Sequence, residues 1–373
     1  MSAGLYVHVP FCAAKCPYCH FYSEGLTAAG LRTWREGLKK EAEAAAAAEA
    51  GGLRFDTLYL GGGTPSLLGP EEVAEVRSLA GDRSSAGIAE FTLEANPCGA
   101  GAALLGGWRD AGVTRLSVGV QSFDEAILRT LGRPHSAGEA LRFCRAARDA
   151  GFDVLAVDLM TGIPGETAEG AARTVRTLLE LELDHVSLYF LENVEGLPFE
   201  AELARRPVDE DAAVEIFRKT RDTLQDAGLR QYEISNFARP GKECRHNLKY
   251  WRYEPFLGLG PSACSHIERR RWSNRASLGE WSEALERGQS PRAEVVELDA
   301  AGAAREALVF GLRLVEGVDL RALGERLGID IAALHGRALD GLTSDGLLIR
   351  SGGRVRIPAD KLLVSNAILS RFI

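Results

Sequence analysis

Strand-like and helix-like segments alternate through the first two thirds of this chain, and that alternation constrains the fold more than any other feature. The predicted strands are short runs rich in leucine, β-branched and aromatic residues, at Leu5–Val9, Thr57–Leu60, Glu90–Glu94, Arg115–Gly119, Val154–Asp158 and His185–Tyr189. Helical patterns lie between them at Leu31–Ala50, Pro70–Leu79, Ala102–Ala111, Glu125–Thr130, Ala137–Ala150 and Thr167–Leu181. The alternation predicts an α/β fold in which helices wrap a parallel sheet.

Three of the seven cysteines lie in one short loop after the first predicted strand. Cys12, Cys16 and Cys19 have the spacing C-x3-C-x2-C, which brings three thiols together. Thiolates are soft ligands that suit zinc, copper(I) or an iron–sulfur cluster. A cubane cluster bound only through cysteine takes four ligands, and Phe21 stands where a nearby fourth would be. An iron–sulfur cluster here would therefore leave one iron open for a substrate or cofactor.

Zinc and a disulfide are the alternatives for this loop. Zinc needs a further ligand pair at ordinary spacing, and His20, adjacent to Cys19, is poorly placed to complete a tetrahedron. A disulfide needs an oxidising compartment. The sequence shows neither a signal-like amino terminus nor a run of about eighteen apolar residues, so we expect a cytoplasmic protein without a membrane span. The formal net charge of -8 argues against a general nucleic-acid binder.

Glycine and polar residues follow the predicted strands at the end where barrel proteins carry their chemistry. They are Gly61, Gly62, Gly63 and Thr64 after the second strand, Glu94 and Asp158 at the ends of the third and fifth, and Gln121 after the fourth. Each alone is equally explained as a tight turn or as a helix cap, and no phosphate-loop lysine follows the glycines. Their recurrence at consecutive strand ends favours one site at a common mouth.

Two resemblances follow from these motifs. The cysteine spacing, with Tyr18 just before the last cysteine, resembles that of the radical S-adenosylmethionine (SAM) enzymes. Over nearly the whole chain, the order of motifs is similar to that of the HemN-like family, which comprises oxygen-independent coproporphyrinogen oxidases and HemW-type haem chaperones. These motifs are HVPFCAAKCPYC, LGGGTPSLL, LEANP, RLSVGVQSFDEAILRTLGRPH, DLMTGIPGET, YEISNFARPG and HNLKYW.

The resemblance implies a fold and a set of cofactors. The fold would be a partial (β/α)6 barrel of the radical SAM type, in which the three cysteines hold a [4Fe–4S] cluster and SAM chelates its open iron. The residues that would line the SAM site are Tyr6, Tyr18, Gly62, Gly63, Thr64, Glu94, Gln121, Arg133 and Asp158.

Two features resemble the HemW type more than the decarboxylases. The further cysteine that decarboxylases carry is Phe21 here, and His246–Trp251 reproduces the HNxxYW signature. The resemblance then implies that haem is bound and passed to an unidentified acceptor protein. His246 would be an exposed haem-iron ligand and Cys244 a further haem contact, although a histidine with a purely structural hydrogen-bonding role stays open. Coproporphyrinogen decarboxylation and radical methylation are the enzymatic alternatives, and His20 stands where family members usually carry aspartate.

The sequence divides into three predicted parts: a barrel at 1–237, a connecting segment at 238–290 and a C-terminal domain at 291–373. A loop is predicted at Gly258–Pro261 and a linker at Gln289–Arg292. The last part combines three predicted helices, at Ala300–Leu314, Leu320–Leu327 and Ile331–Leu339, with a hairpin at Leu347–Ile357. This pattern resembles a winged helix. Because the chain is acidic, we expect a cap over the barrel mouth or a docking surface for a partner rather than a DNA-binding unit.

Overall fold

The structure is a computed structural model that describes residues 2–48, 53–81, 87–98 and 101–373. The strands are β1 (Ser2–Val9), β2 (Phe11–Cys12), β3 (Glu24–Gly25), β4 (Arg54–Gly62), β5 (Glu90–Ala95), β6 (Arg115–Gln121), β7 (Val154–Thr161), β8 (His185–Phe190), β9 (Arg230–Gln231), β10 (Asn236–Ala238), β11 (Phe256–Leu259), β12 (Cys264–Ile267), β13 (Arg270–Asn274), β14 (Arg292–Glu297), β15 (Val318–Asp319), β16 (Ile349–Ser351) and β17 (Arg354–Arg356).

The predicted α-helices are present, with bounds within a few residues of those predicted. The α-helices are α1 (Ala28–Ala48), α2 (Pro70–Leu79), α3 (Ala102–Asp110), α4 (Glu125–Thr130), α5 (Ala137–Ala150), α6 (Ala168–Leu179), α7 (Glu200–Arg205), α8 (Glu210–Asp226), α9 (Arg245–Trp251), α10 (Leu278–Glu286), α11 (Ala300–Gly311), α12 (Leu320–Leu327), α13 (Ile331–Ser344) and α14 (Ser365–Leu369). Of these, α7, α8, α9, α10 and α14 were not predicted. The predicted end of the first helix, Ala50, lies outside the described residues.

The six predicted strands form the parallel centre of one sheet. Strands β1, β4, β5, β6, β7 and β8 are neighbours in chain order, and every adjacent pair is parallel. Across the described residues this sheet has 12 strands, with β14 at one edge and β9 at the other, so it does not close on itself. The prediction of a partial barrel is confirmed. One detail is corrected: β7 continues to Thr161, so Asp158 lies within the strand rather than at its end.

The two faces of the parallel strands have opposite character because successive side chains point to opposite sides of a sheet. In β4, Leu58 and Leu60 are fully buried in the apolar core, whereas Tyr59 between them lines the barrel interior. The same alternation in β5 buries Leu93 in the core and directs Glu94 inwards. Helices cover the apolar face. The interior is therefore a polar cavity rather than a packed core.

Helix α5 illustrates how the sequence determines where a covering helix begins and ends and which face it buries. Ser136 caps its first turn in a capping box with Glu139, and Gly151 ends it in the left-handed conformation with φ 81°. Its buried residues, which include Phe143 and Cys144, recur at helical spacing and belong to the core on the outer face of the sheet. These local signals explain why the predicted bounds of this helix are confirmed.

The segment after the barrel strands adds to the sheet. Strand β11 pairs in parallel with β1, opposite β4, and β12, β13 and β14 continue outwards as antiparallel neighbours. The loop predicted at Gly258–Pro261 is therefore wrong for its first two residues, which lie in β11. Glycine is needed at position 258, because a Cβ there would lie 2.1 Å from the carbonyl oxygen of Cys264. The predicted linker likewise ends at β14, since Arg292 begins that strand.

The C-terminal part has an apolar core of its own, which includes Leu308, Leu312, Leu339 and Val355. Helices α11, α12 and α13 pack with a three-stranded sheet in the order β15, β17, β16. The predicted helices and hairpin are confirmed, although α13 runs on to Ser344. None of the helices that the structure describes is long and apolar enough to cross a membrane.

A candidate cofactor site at the mouth of the barrel

The cysteine loop lies across the carboxyl ends of β1 and β4. The three thiols are free and half-buried, and the backbone N–H of Cys19 donates to the carbonyl of Cys16 at 3.1 Å. The Thr64 hydroxyl donates to the Cys12 sulfur at 3.2 Å, and Arg133 Nη1 donates to the Cys16 sulfur at 3.4 Å. Two of the three sulfurs are thus held by side chains from the barrel, which fixes the loop over its mouth.

The donor set is of the kind that an iron–sulfur cube takes. Burial raises the pKa of the Cys19 thiol, and Cys16 and Cys12 act in the same direction, so the three sulfurs interact electrostatically. Among the described residues, no three side chains are arranged to hold a single metal ion. A four-iron cluster takes one cysteine thiolate at each iron that the protein holds. Three cysteines provide three such ligands and leave the fourth iron without a protein ligand.

The glycine turn after β4 excludes side chains beside this loop. Gly62 has φ 106°, a left-handed conformation that glycine adopts without cost. A Cβ at Gly63 would lie 2.5 Å from the carbonyl oxygen of Phe11 and 2.8 Å from that of Val9. The amide of Gly63 instead donates to the Val9 carbonyl at 2.8 Å, and the amide of Thr64 donates to the Phe11 carbonyl at 2.7 Å. Backbone hydrogen bonds therefore hold the glycine turn against the start of the cysteine loop. The turn has no side chain there that would block a ligand.

Glu94 lies in the barrel interior below this turn. Its carboxylate accepts from the Tyr59 hydroxyl at 2.8 Å and from the Gly62 amide at 3.2 Å. Burial, together with the nearby Asp158 carboxylate, raises the pKa of Glu94 to about 7. Tyr59 also stacks on Tyr6, with ring centroids 6.1 Å apart. The sequence reasoning missed Tyr59, although its place two residues before the glycines was a usable signal.

Arg133 reaches the same mouth from the loop after α4. Its Nη2 donates to Asn96 Oδ1 at 2.7 Å and to the Gly119 carbonyl at 2.6 Å, and the Tyr18 ring lies beside it. Asn96 Nδ2 in turn donates to the Thr64 hydroxyl at 3.2 Å. Asn96 was not predicted, although it lies in the LEANP motif. Among the described residues the buried Nε of Arg133 has no hydrogen-bond partner, so this cation keeps a donor for an anionic group of a ligand.

Gln121 and Asp158 complete the ring of polar groups. Gln121 has φ 68°, which is unusual for a residue with a side chain, and accepts from the Tyr189 hydroxyl at 2.7 Å. Asp158 accepts from Ser117 at 3.3 Å, and burial raises its pKa to about 6. Tyr189 was not predicted either. The structure thus gathers the predicted mouth residues around the cysteine loop and the glycine turn.

The His246 ring lies 5.2 Å from the Tyr59 ring but is enclosed, and the prediction of an exposed imidazole is wrong. The residue has 0% exposure. Its Nδ1 lies 2.8 Å from the Thr57 hydroxyl and its Nε2 lies 2.8 Å from the Tyr250 hydroxyl, so both ring nitrogens have partners. Burial lowers its pKa to about 3.

The reason is packing that a local motif does not reveal. The HNxxYW signature forms α9, which packs against β1 and β4. A Cβ at Gly4 would lie 2.8 Å from the ring of His246, so the glycine makes room for it. Cys244, predicted as a haem contact, is also buried at 2% exposure, with its sulfur 3.5 Å from Glu90.

Comparison with known proteins agrees with this geometry. Residues 6–178 match the Radical SAM superfamily and residues 298–360 match the HemN C-terminal domain. The fold superposes on coproporphyrinogen III oxidase (HemN) from Escherichia coli with a TM-score of 0.84 and 23% sequence identity, covering 100% of this chain and 90% of that one. The fold and the site therefore define a radical SAM protein.

Two relatives with known names identify the family within this class. The chain is 35% identical over 373 residues to the protein named Heme chaperone HemW from Mycobacterium tuberculosis, covering 98% of this chain and 93% of the relative. It is 29% identical over 375 residues to Heme chaperone HemW from Bacillus subtilis, covering 99% and 98%. The chain belongs to the HemW family.

Proposed function

We propose that this protein binds a [4Fe–4S] cluster, SAM and haem, and delivers the haem to an acceptor protein. One observation carries the proposal: three free thiols, a side-chain-free glycine turn and a ring of buried polar groups meet at one barrel mouth. They do so in a chain that is 35% identical, almost end to end, to a protein named as a haem chaperone.

Within this proposal, Cys12, Cys16 and Cys19 hold the cluster. When bound, the cluster supplies an iron with an open coordination position, which is what the amino and carboxylate groups of SAM need. Thr64 and Arg133 orient the first two sulfurs through hydrogen bonds. Removing either donor should therefore loosen the loop without removing a ligand.

The remaining mouth residues hold SAM. The glycine turn keeps side chains out of the space that SAM occupies, and Glu94 and Asp158 accept hydrogen bonds from its hydroxyl groups. Arg133 offers its unpaired Nε to an anionic group. Gln121 is kept in place by Tyr189. Each of these side chains is positioned by a partner on a neighbouring strand or loop, so the site is largely formed before a ligand arrives.

The experiment is a haem titration of the anaerobically purified protein, followed by transfer to apomyoglobin as a haem sink. A Soret band that saturates at a fixed ratio of haem to protein, and then moves to apomyoglobin, supports the proposal. In parallel, the reconstituted protein is incubated with SAM, dithionite and coproporphyrinogen III. Vinyl products in that reaction, or no saturable haem binding, would overturn the chaperone function.

A further inference from the structure

A second cavity opens beside the cysteine loop, between the barrel mouth and the end of the chain. We call this cavity, of about 600 Å³, the mouth chamber. Its size falls within the range of small-molecule sites. Apolar and aromatic side chains make up much of its lining, among them Phe21, Met160, Phe190, Leu191, Phe217 and Leu363. A flat apolar ligand in this chamber would contact apolar side chains on several sides.

The polar interior of the barrel lies next to it. We call this cavity, of about 330 Å³, the inner chamber. Both chambers are lined by Tyr189, Ser235 and Arg313, so these three residues mark where they meet. An elongated ligand could therefore place an apolar part in the first chamber and a polar part towards the second.

Several residues that line the inner chamber carry buried polar atoms with no hydrogen-bond partner among the residues that the structure describes. The donors are Arg115 Nη1, Trp251 Nε1 and Arg313 Nε, and His185 Nδ1 adds a donor or acceptor. The acceptors are Thr92 Oγ1, Glu233 Oε2 and Asn236 Oδ1. Arg115 is 2% exposed. Unpaired buried polar groups are costly, so this interior, which Glu94 and Asp158 of the proposed SAM site also line, is suited to ligands that bring oxygen atoms.

Arg313 is the member of this set that faces both chambers. Its guanidinium lies over the Trp251 ring at 4.4 Å, which fixes its position. The nearest carboxylate oxygen, Glu233 Oε2, is 3.9 Å from Nη2, beyond hydrogen-bond distance. Burial raises the pKa of Glu233 and so favours its neutral form, while burial lowers the pKa of Arg313. Glu192 is the other carboxylate that faces Arg313. An anionic ligand group at Arg313 would stabilise the guanidinium.

From these observations we infer that the haem of the proposed function lies with its macrocycle in the mouth chamber and a propionate on Arg313. The inference rests on the proposed function, because it takes haem as the ligand. A single amphipathic molecule, with a flat apolar body and carboxylate arms, would then occupy the mouth chamber and reach towards the inner chamber. It also explains how haem is held by a chain in which His246 is enclosed by Thr57 and Tyr250.

The test compares haem with haem dimethyl ester, which lacks both carboxylates, by titration of the anaerobically purified full-length protein. The wild type should bind haem roughly ten- to hundredfold more tightly than the ester, the range for one hydrogen bond to a charged group. Arg313→Gln should lose most of that preference while binding the ester as the wild type does. Arg305→Gln, at an exposed position on α11, is the matched control and should keep the preference.

Two further variants separate a failure of the Arg313 contact from a failure of haem binding or of folding. Leu363→Trp, which fills part of the mouth chamber, should weaken haem and ester binding alike. Arg313→Lys keeps the charge, so it should keep part of the preference and replaces Arg313→Gln if that variant does not fold. Haem binding with an unchanged preference in Arg313→Gln overturns the inference and leaves the proposed function standing. No haem binding by the wild type overturns both.

Discussion

The contact between β5 and the HNxxYW helix gives the sharpest stability prediction. The Glu90 carboxylate accepts from Arg115 Nε at 3.1 Å and from the backbone amides of Arg245 and His246, at 3.1 and 3.0 Å. It is thus both the partner of a buried arginine and an acceptor for the first turn of α9. Arg115 Nη2 also donates to two carbonyls just before the helix, those of Lys242 and Glu243.

Glu90→Ala removes this carboxylate and leaves Arg115, at 2% exposure, as an uncompensated buried charge. Losing one partner of a buried pair costs about 3–5 kcal/mol of unfolding free energy. The control is Glu75→Ala, which removes the partner of Arg35 in a pair whose side chains are 31% and 35% exposed. Exposed pairs contribute only about 0.2–1 kcal/mol. Both substitutions remove an arginine–glutamate ion pair, but Glu90 is buried and also accepts from two backbone amides, whereas Arg35 is half-exposed and keeps Glu72 as a partner.

The assay uses Cys244, which is buried at the start of α9 next to Glu90. Its rate of thiol labelling in native buffer reports the opening of this contact. A loss of about 3 kcal/mol should speed labelling by roughly a hundredfold, since every 1.4 kcal/mol is a factor of about ten. Urea unfolding of the same variants measures the global loss. Glu90→Ala labelling within a few-fold of Glu75→Ala would refute the reasoning, and Glu90→Ala with Arg115→Met should recover part of the stability.

Three further predictions concern the site and its carboxyl groups. Gly63→Ala should lower the iron content after anaerobic reconstitution several-fold, because the added Cβ meets the Phe11 carbonyl at 2.5 Å and displaces the cysteine loop. Tyr59→Phe should raise the pKa of Glu94 above about 7, since the Tyr59 hydrogen bond lowers it; infrared titration of the carboxyl band measures this. Burial raises the pKa of Glu41 to about 7 as well, so in the native state this carboxyl keeps a proton to higher pH than it does in the unfolded chain. The Tm of the ligand-free wild type relative to that of Glu41→Gln should therefore fall as pH rises from about 5 to 8.

Each of these has its own control. Gly106→Ala, where a Cβ would meet nothing within 4 Å, should leave the iron content unchanged, and equal loss in both glycine variants contradicts the argument. An unchanged or lowered Glu94 pKa in Tyr59→Phe contradicts the second prediction. Taking the difference between wild type and Glu41→Gln cancels the other titrating groups, which both proteins share. A wild-type Tm that rises relative to that of Glu41→Gln through this pH range would reverse the assigned sign.

The parallel barrel was predictable because its signals are local. The outward residues of each strand, such as Leu58 and Leu60, form apolar runs, and capping pairs such as Ser136 with Glu139 mark helix starts. Glu94 and Gln121 could be placed at one mouth because parallel strands share a carboxyl edge. Periodicity and strand direction together account for that part of the fold and the site.

The remainder depends on contacts between distant parts of the sequence. Asn96 joins Thr64 to Arg133, and Tyr189 holds Gln121, but no spacing rule connects these residues. Strand β11 has four residues and contains a glycine, so only its pairing with β1 identifies it. The burial of His246 also depends on distant residues. Gly4 and Thr57, near the amino terminus, enclose its ring.

The central claim is that three thiols at the barrel mouth hold a four-iron cluster with one iron open to SAM. Electron paramagnetic resonance of the reconstituted, dithionite-reduced protein, with and without SAM, tests it together with iron analysis. We predict about four irons per chain and a spectrum that shifts when SAM is added. Cys16→Ala should lose the signal and Cys264→Ser, at an exposed cysteine away from the loop, should keep it. No four-iron signal in the wild type, or a wild-type signal in Cys16→Ala, would contradict the account.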